Sequence, residues 1–148
     1  MSVNQGPLNE LDRKLIRAAA ITHRETGLMI HSHSSKTPIS GIEQIKILKE
    51  EGVSPNAWVW VHANTMPDLE GLRSGFEEGA WISFDKLRPD KKSVDHMLNC
   101  LRFAEKNGWL DQVLISHDAG WFDPNKPDGG EHRPYTAYFT HFLPAAIK

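Results

Sequence analysis

Short apolar runs alternate with polar loops and helical segments along the whole chain. Four such runs predict β-strands near residues 28–33, 57–62, 80–85 and 112–117. They are rich in β-branched and aromatic residues, as in the segment Ala57-Trp58-Val59-Trp60-Val61, which is typical of buried strands. Strand, loop and helix follow one another four times, and this order predicts strands that pair in parallel through right-handed crossovers.

A helix is predicted before the first strand and after each of the first three. The segment from Leu8 to Gly27 carries apolar or small residues at helical spacing, namely Leu11, Leu15, Ala18, Ala19 and Thr22, and glycine is a common helix stop. Further starts are predicted at Ser40, where Ser40-Gly41-Ile42-Glu43 is a capping-box pattern, at Pro67 and at Ser93. These helices are predicted to end near Gly52, Gly79 and Gly108.

Composition is that of one globular domain, which we place at residues 1–148. Of its 148 residues, 39% are hydrophobic and 24% are charged, and the net charge is −2, so a sizeable core is expected. No basic stripe interleaves with aromatic residues, and this argues against nucleic acid as a partner. No segment has the features of a secretion signal or of a bilayer span, so we expect a cytoplasmic protein that does not bind membranes.

Two further features bear on the interior and on substrate contacts. Cys100 is the only cysteine, so no intrachain disulfide can form, and its apolar surroundings predict a buried helical thiol. The longest connection runs from Ala119 to Tyr135 and contains several proline and glycine residues. A loop of that length in a compact domain is more often functional than idle, so we expect a lid or a substrate-contacting loop.

Metal-capable side chains fall at the ends of all four predicted strands: His31 and His33, then His62, then Asp85, then His117 and Asp118. The carboxyl ends of parallel strands meet at one edge, where such folds build their sites. Imidazole nitrogen and carboxylate oxygen suit zinc and its neighbours, and a bound ion can activate water for hydrolysis. The sequence contains no nucleophile elbow, no phosphate-binding loop and no dinucleotide fingerprint.

At these strand ends the chain resembles the phosphotriesterase-like enzymes of the amidohydrolase superfamily. The resemblance lies in four segments that match the family's fifth to eighth strands in order: Gly27–His33, Val61–Leu69, Trp81–Asp85 and Val113–Asp118. It extends from about Leu8 to Leu143. The resemblance implies an α/β fold of the (β/α)8 TIM-barrel type, present here as a C-terminal half-barrel of four parallel βα units preceded by a helix.

The resemblance also assigns site residues. His33 and His62 match the two histidines that hold the more exposed ion of a binuclear centre. Asp118 matches the aspartate that binds the other ion and accepts a proton in catalysis. Asp85 matches a residue near the substrate, and a loop-capping carboxylate is an equally good interpretation. Zinc is the implied ion, with two ions in a complete barrel and one weakly held ion, or none, in this chain alone.

Other polar residues near the strand ends receive supporting or substrate-contacting roles. His31 is predicted to make buried hydrogen bonds one layer deeper than His33, because residues two apart on a strand face the same side. His117 is predicted to support the site without binding an ion. Trp121, His132 and Arg133 lie in the long loop and are candidates for substrate contact, with ordinary solvated loop positions as the alternative.

The chain departs from the family because the first-strand His-x-His pair and the fourth-strand carboxylated lysine have no counterpart. The leading hypothesis is a metal-dependent hydrolase portion acting on phosphoester, lactone or related ester bonds. The alternative is a catalytically silent half-barrel that binds a metal or a partner chain. In either case we expect a homodimer or a complementary N-terminal half. A third hypothesis, a flavodoxin-like domain, would use the turn at residues 33–37, which lacks the glycines of an anion-binding loop.

Overall fold

Four strands form one parallel sheet in a computed structural model that describes residues 1–4, 6–34 and 36–147. The strands are β1 Ile30–His33, β2 Trp58–Val61, β3 Trp81–Phe84 and β4 Val113–Ile115. They are hydrogen-bonded in the order β1-β2-β3-β4, and every neighbouring pair is parallel. The predicted parallel sheet is therefore confirmed, and each strand lies inside its predicted range. Ser35, in the turn that the flavodoxin-like hypothesis would use, lies outside the described residues.

Helices connect the strands and pack against one side of the sheet. The α-helices are α1 Glu10–Thr26, α2 Pro38–Glu50, α3 Arg73–Glu77, α4 Lys91–Lys106 and α5 Leu143–Ala146. Short 3-10 turns occupy Pro55–Ala57, Ala63–Thr65, Leu69–Leu72, Leu110–Gln112 and Pro127–Gly129, and a π-helical turn occupies Tyr138–Phe142. No helix among the described residues is long and apolar enough to cross a membrane.

The apolar core lies between the sheet and these helices. Trp60 projects from β2 into this layer and is completely buried. Gly41 of α2 leaves room for it, because a Cβ atom at that position would lie 2.2 Å from the indole ring. A Cβ atom at Gly75 of α3 would lie 3.1 Å from the same ring. The close approach of α2 to β2 therefore depends on the absence of a side chain at residue 41.

The predicted start of α2 is wrong. The helix begins at Pro38, and Ser40 is buried in its first turn. Glu43 does not cap this helix, because its carboxylate accepts from the Leu8 amide at 2.8 Å and from Arg13 at 3.0 Å. Glu43 thus makes tertiary contacts instead of the predicted capping-box contact with Ser40. A capping box does occur at α1, where Asn9 and Asp12 each accept from the backbone amide of the other.

Two other helix starts also differ from prediction. Pro67 precedes a 3-10 turn, and the α-helix begins only at Arg73. Asp68 provides the cap by accepting from the Glu70 amide at 3.0 Å. Helix α4 begins at Lys91, two residues before Ser93. Asp90 is its N-cap and accepts a hydrogen bond from the Ser93 amide in the first turn. The glycine stop at Gly27 is confirmed, with the left-handed backbone that favours glycine.

Helix α1 buries a different face from the one its apolar residues suggest. The buried residues are Asp12, Ile16 and Ala20, whereas Leu11 and Leu15 are exposed. Asp12 is acceptable in the interior because its carboxylate accepts from the Asn4 side chain and from the Asn9 amide. The apolar stripe through Leu11 and Leu15 is left without a covering layer among the described residues.

The face of the sheet opposite the helices is only partly covered. His31 and His33 on β1 and Leu114 on β4 are exposed, whereas Val59 on β2 is buried. Val59 is flanked on the same face by His31 and Trp81, which pair with it across the strands. This face therefore meets water at the outer strands β1 and β4, whereas Val59 on β2 and Ser83 on β3 are buried.

Residues at the amino terminus lie along the outer edge of β1. The Val3 amide donates to the His33 carbonyl at 3.2 Å, and the His33 amide donates to the Met1 carbonyl at 3.0 Å. Ser2 forms a parallel bridge with His33. The outer edge of β1 is therefore paired by this short segment. The outer edge of β4 pairs with no strand among the described residues.

Candidate metal centre

Polar side chains from all four strand ends meet at the carboxyl edge of the sheet. His62 lies at the centre, with its Nε2 atom 3.1 Å from Nδ1 of His33. Its Nδ1 atom lies 2.7 Å from Oδ1 of Asp85 and 3.9 Å from Oδ2 of Asp118. The prediction that these four residues lie at one edge of the sheet is confirmed.

The backbone holds His62 in an uncommon conformation that aims its ring at this edge. His62 has a φ of +63°, in the left-handed region that non-glycine residues rarely adopt. Its amide donates to Oδ2 of Asp85 at 2.8 Å, so one carboxylate binds both the backbone and the ring of His62. Asp85 is 1% exposed. This buried carboxylate compensates for the unusual backbone and fixes the imidazole.

Asn64 joins the loops after β2 and β3. Its side chain donates to the Asp85 carbonyl at 2.6 Å and accepts from the Asp85 amide at 3.0 Å. The loop that carries His62 is thus tied to the residue that binds His62. The sequence analysis did not identify Asn64. The only indication of its role was its position two residues after the strand-end histidine His62.

The hydrogen bond to Asp85 decides which nitrogen of His62 is free. An ionised carboxylate can only accept, so Nδ1 of His62 donates to Asp85. In the neutral ring, Nε2 then carries a lone pair and points at His33. Carboxylates that fix metal-binding histidines in this way are a recurrent feature of metal sites.

Partial burial of the His33 ring, followed by the nearby His62, lowers the pKa of His33. Asp118 and Asp85 act in the opposite direction with smaller effect. The residue as a whole remains exposed, so the ring has one solvated side and one side against His62. A lowered pKa favours the neutral imidazole, which is the form that binds metals.

The donor set fits a divalent ion. Two nitrogens that each bind zinc at about 2.1 Å must lie within roughly 4.2 Å of one another, and the His33–His62 separation satisfies this limit. His62, Asp85 and Asp118 also offer ligand atoms within 4.8 Å of one another. Both oxygens of Asp85 already accept from His62. His33 and His62 are therefore the better pair to hold one ion between Nδ1 and Nε2, and Asp85 is better suited to orient His62.

Arg133 from the long loop contacts the backbone of Asp118. Its Nη2 atom donates to the Asp118 carbonyl at 2.8 Å, and Asp118 has a φ of +45°. Its Nη1 atom is buried and has no hydrogen-bond partner among the described residues. Tyr135 donates to the Ala119 carbonyl at 2.6 Å. Two residues from the far end of the loop thus hold the segment that carries Asp118.

The remaining predicted residues lie around this centre in different surroundings. His31 is exposed, so the predicted buried role is wrong, because no layer covers its side of β1 among the described residues. His117 is buried and its Nε2 atom accepts from the Tyr138 amide at 3.0 Å. Burial, and then Arg88, lower the pKa of His117, in keeping with a neutral acceptor ring. Trp121 and His132 are exposed.

Comparisons with known proteins place this site in a family. The model of the phosphotriesterase family matches residues 1–147. The chain belongs to the phosphotriesterase family. At the carboxyl edge of the sheet, the group of side chains that could hold a metal ion comprises His62, Asp85 and Asp118.

Two curated relatives show how far the similarity extends. The chain is 34% identical over 106 residues to the aryldialkylphosphatase of Saccharolobus solfataricus, covering 71% of this chain and 34% of that protein. It is 29% identical over 149 residues to the phosphotriesterase homology protein of Escherichia coli, covering 97% of this chain and 49% of that protein. The chain therefore spans about a third to a half of the length of these curated relatives.

Solved structures of phosphotriesterase-like proteins share the fold. The Escherichia coli phosphotriesterase homology protein, solved with phosphate in its active site, superposes with a TM-score of 0.81 at 25% identity. That match covers 99% of this chain and 50% of that one. A lactonase from Listeria monocytogenes gives a TM-score of 0.80 at 27% identity, covering 99% of this chain and 44% of that one. The fold is thus that of part of a TIM barrel, as predicted.

Proposed function

We propose that this chain provides the His33–His62–Asp118 part of a metal centre in a hydrolase that acts on ester-type bonds. The observation that carries the proposal is the meeting of His33 Nδ1 and His62 Nε2 at 3.1 Å, with Asp118 Oδ2 lying 3.9 Å from the other ring nitrogen of His62. Family membership supports the same reaction class. Zinc is the ion we propose, because imidazole and carboxylate donors suit it.

Each residue of the site has a distinct proposed role. His33 and His62 would hold one ion and Asp118 the second ion of a complete centre, and these ions would supply Lewis acidity to the bond under attack. Asp118, whose side chain is 17% exposed, is also placed to accept the proton released from an attacking water. Asp85 would orient His62 through its two hydrogen bonds. This role replaces the predicted position of Asp85 near the substrate. His117 supports the segment after β4.

Substrate contact is proposed for Arg133 and Trp121. The unpaired Nη1 atom of Arg133 lies next to the segment of Asp118, where a guanidinium can hold a phosphoryl or carboxyl oxygen. Trp121 is 63% exposed three residues after Asp118 and offers an apolar surface. The relatives include an aryldialkylphosphatase and a lactonase, so the proposed substrates are phosphoesters and lactones. A cytoplasmic location and a single domain over residues 1–148 stay predictions.

A partner is proposed because the face that carries the site is incompletely covered. His33 is exposed on that face, and Leu11 and Leu15 form an uncovered stripe on α1. A second copy of the chain or a complementary N-terminal half would cover these surfaces and add ligands. The alternative function, a silent half-barrel that binds a metal or a partner, rests on the same exposure.

Hydrolysis assays distinguish the two functions. Purified protein is given an aryl ester, a lactone or an aryl phosphotriester with added zinc, cobalt or manganese. Metal-dependent turnover that disappears in Asp118→Asn supports the hydrolase. Zinc binding without turnover of any of the three substrates would favour the silent half-barrel.

A further inference from the structure

A cluster of polar side chains lies behind β1, on the side that faces α2. Its four members are all 0% exposed: Ser32, Ser34, Ser40 and Gln44. Unpaired polar groups at such depth strongly destabilise a fold. Apolar residues of similar size would fill the same space without that risk, so the arrangement of the hydrogen bonds within the cluster is informative.

Gln44 is the hub of this cluster. Ser32 donates to its Oε1 atom at 2.6 Å, and its Nε2 atom donates to Ser34 Oγ at 2.6 Å and to the Ser40 carbonyl at 3.1 Å. Ser34 in turn donates to Ser32 Oγ at 3.2 Å. The oxygen and the nitrogen of the Gln44 amide therefore both form hydrogen bonds. Only one orientation of this amide satisfies all of its partners.

The two serines flank His33 in the chain. Successive residues of a strand point to opposite faces, so Ser32 and Ser34 point into the helical layer while His33 points toward His62. The Trp60 indole nitrogen also donates to the Ser34 carbonyl. The chain is therefore held immediately before and immediately after His33 by side chains from α2 and β2.

We propose that Gln44 is a positioning residue for His33, acting through Ser32 and Ser34 to keep His33 Nδ1 within reach of His62 Nε2. This inference rests on the proposed metal centre, and it adds a determinant from the helical layer that touches neither the ion nor the substrate. A side-chain amide imposes direction on both hydroxyls, and packing alone would not. A small rotation of the strand end would carry the His33 ring away from its partner.

The test compares two variants that remove the hydrogen bonds of the Gln44 side chain with one variant that keeps them. Gln44→Met keeps the length of the side chain and removes its hydrogen bonds. The triple variant Gln44→Met/Ser32→Ala/Ser34→Ala makes these three side chains apolar, which keeps the fold when the single variant fails, because both partners of each bond between the amide and the two hydroxyls are replaced. Ser40→Ala is the matched control, since Gln44 uses only the backbone carbonyl of Ser40.

Two readouts are measured: the zinc dissociation constant by calorimetry, and the imidazole nitrogen signals of His33 by NMR in metal-free protein. We expect roughly 10- to 100-fold weaker zinc binding in the Gln44→Met and triple variants. We also expect shifted His33 ring signals, and no change in either quantity for Ser40→Ala. Unchanged zinc binding and unchanged His33 signals in a folded triple variant would overturn the inference. Wild-type protein that binds no zinc either as a monomer or at concentrations at which it associates would refute the proposed function, and the NMR comparison would still decide the role of Gln44.

Discussion

Asp85 binds His62 twice, through the ring Nδ1 at 2.7 Å and through the backbone amide at 2.8 Å. One buried carboxylate therefore fixes both the left-handed backbone of His62 and the nitrogen that the ring presents to His33. The geometry of the proposed metal centre therefore depends on this pair.

Asp85→Asn is expected to weaken zinc binding by roughly 10- to 100-fold, because a neutral amide no longer accepts at both oxygens and His62 loses its fixed orientation. Calorimetric titration measures the change, and circular dichroism checks the fold. Asp111→Asn is the control, since Asp111 is exposed on the segment before β4. Equal zinc affinities of the Asp85 and Asp111 variants would contradict the orienting role.

Gly41→Ala is expected to destabilise the fold by about 1–3 kcal/mol, the usual cost of overpacking a core. The added methyl group would meet the buried Trp60 ring at 2.2 Å, so α2 or β2 must shift. Gly6→Ala is the control, because open space surrounds that position. Urea unfolding of both variants gives the free energies, and equal stability would show that α2 can move away from Trp60 at little cost.

The positions of the strands and the edge that carries the site could be predicted from the sequence. Apolar runs that end in His33, His62, Asp85 and Asp118 were sufficient for both. The start of α2 could not be predicted, because Glu43 binds Leu8 and Arg13 across the fold. The left-handed backbone of His62 and Asp118 also leaves no mark in the sequence, since neither residue is glycine.

Cys100 should make folding stability fall as the solution becomes alkaline. Burial raises the pKa of its thiol from 9.0 to about 12, so the native state keeps a proton that the unfolded chain loses. Between these two values the unfolded state binds fewer protons, and stability decreases as pH rises. Urea unfolding across this range should show a shallower decrease in Cys100→Ala.

Alkylation of Cys100 checks the same point independently. The thiol is fully buried, so iodoacetamide should react with the native protein far more slowly than with protein in denaturant. Equal rates in the two conditions would mean that Cys100 is accessible and that its pKa is not raised.

The chain alone is expected to associate at rising concentration, because Leu11, Leu15 and Leu114 are exposed and the outer edge of β4 is unpaired among the described residues. Sedimentation equilibrium over a wide concentration range measures this directly. Leu11→Gln/Leu15→Gln should weaken association, with Ile42→Gln on the exposed side of α2 as the control. A cooperative monomer at all concentrations that binds no apolar dye would refute the proposed pairing of two copies.

Zinc titration is the most direct test of the metal centre. Calorimetry on metal-free wild-type protein should show a binding heat that is lost in His33→Ala/His62→Ala. The heat should persist in His141→Ala, which removes an exposed histidine of the carboxyl-terminal segment. Binding to the double variant with wild-type affinity would contradict the account, because the ion would then bind elsewhere.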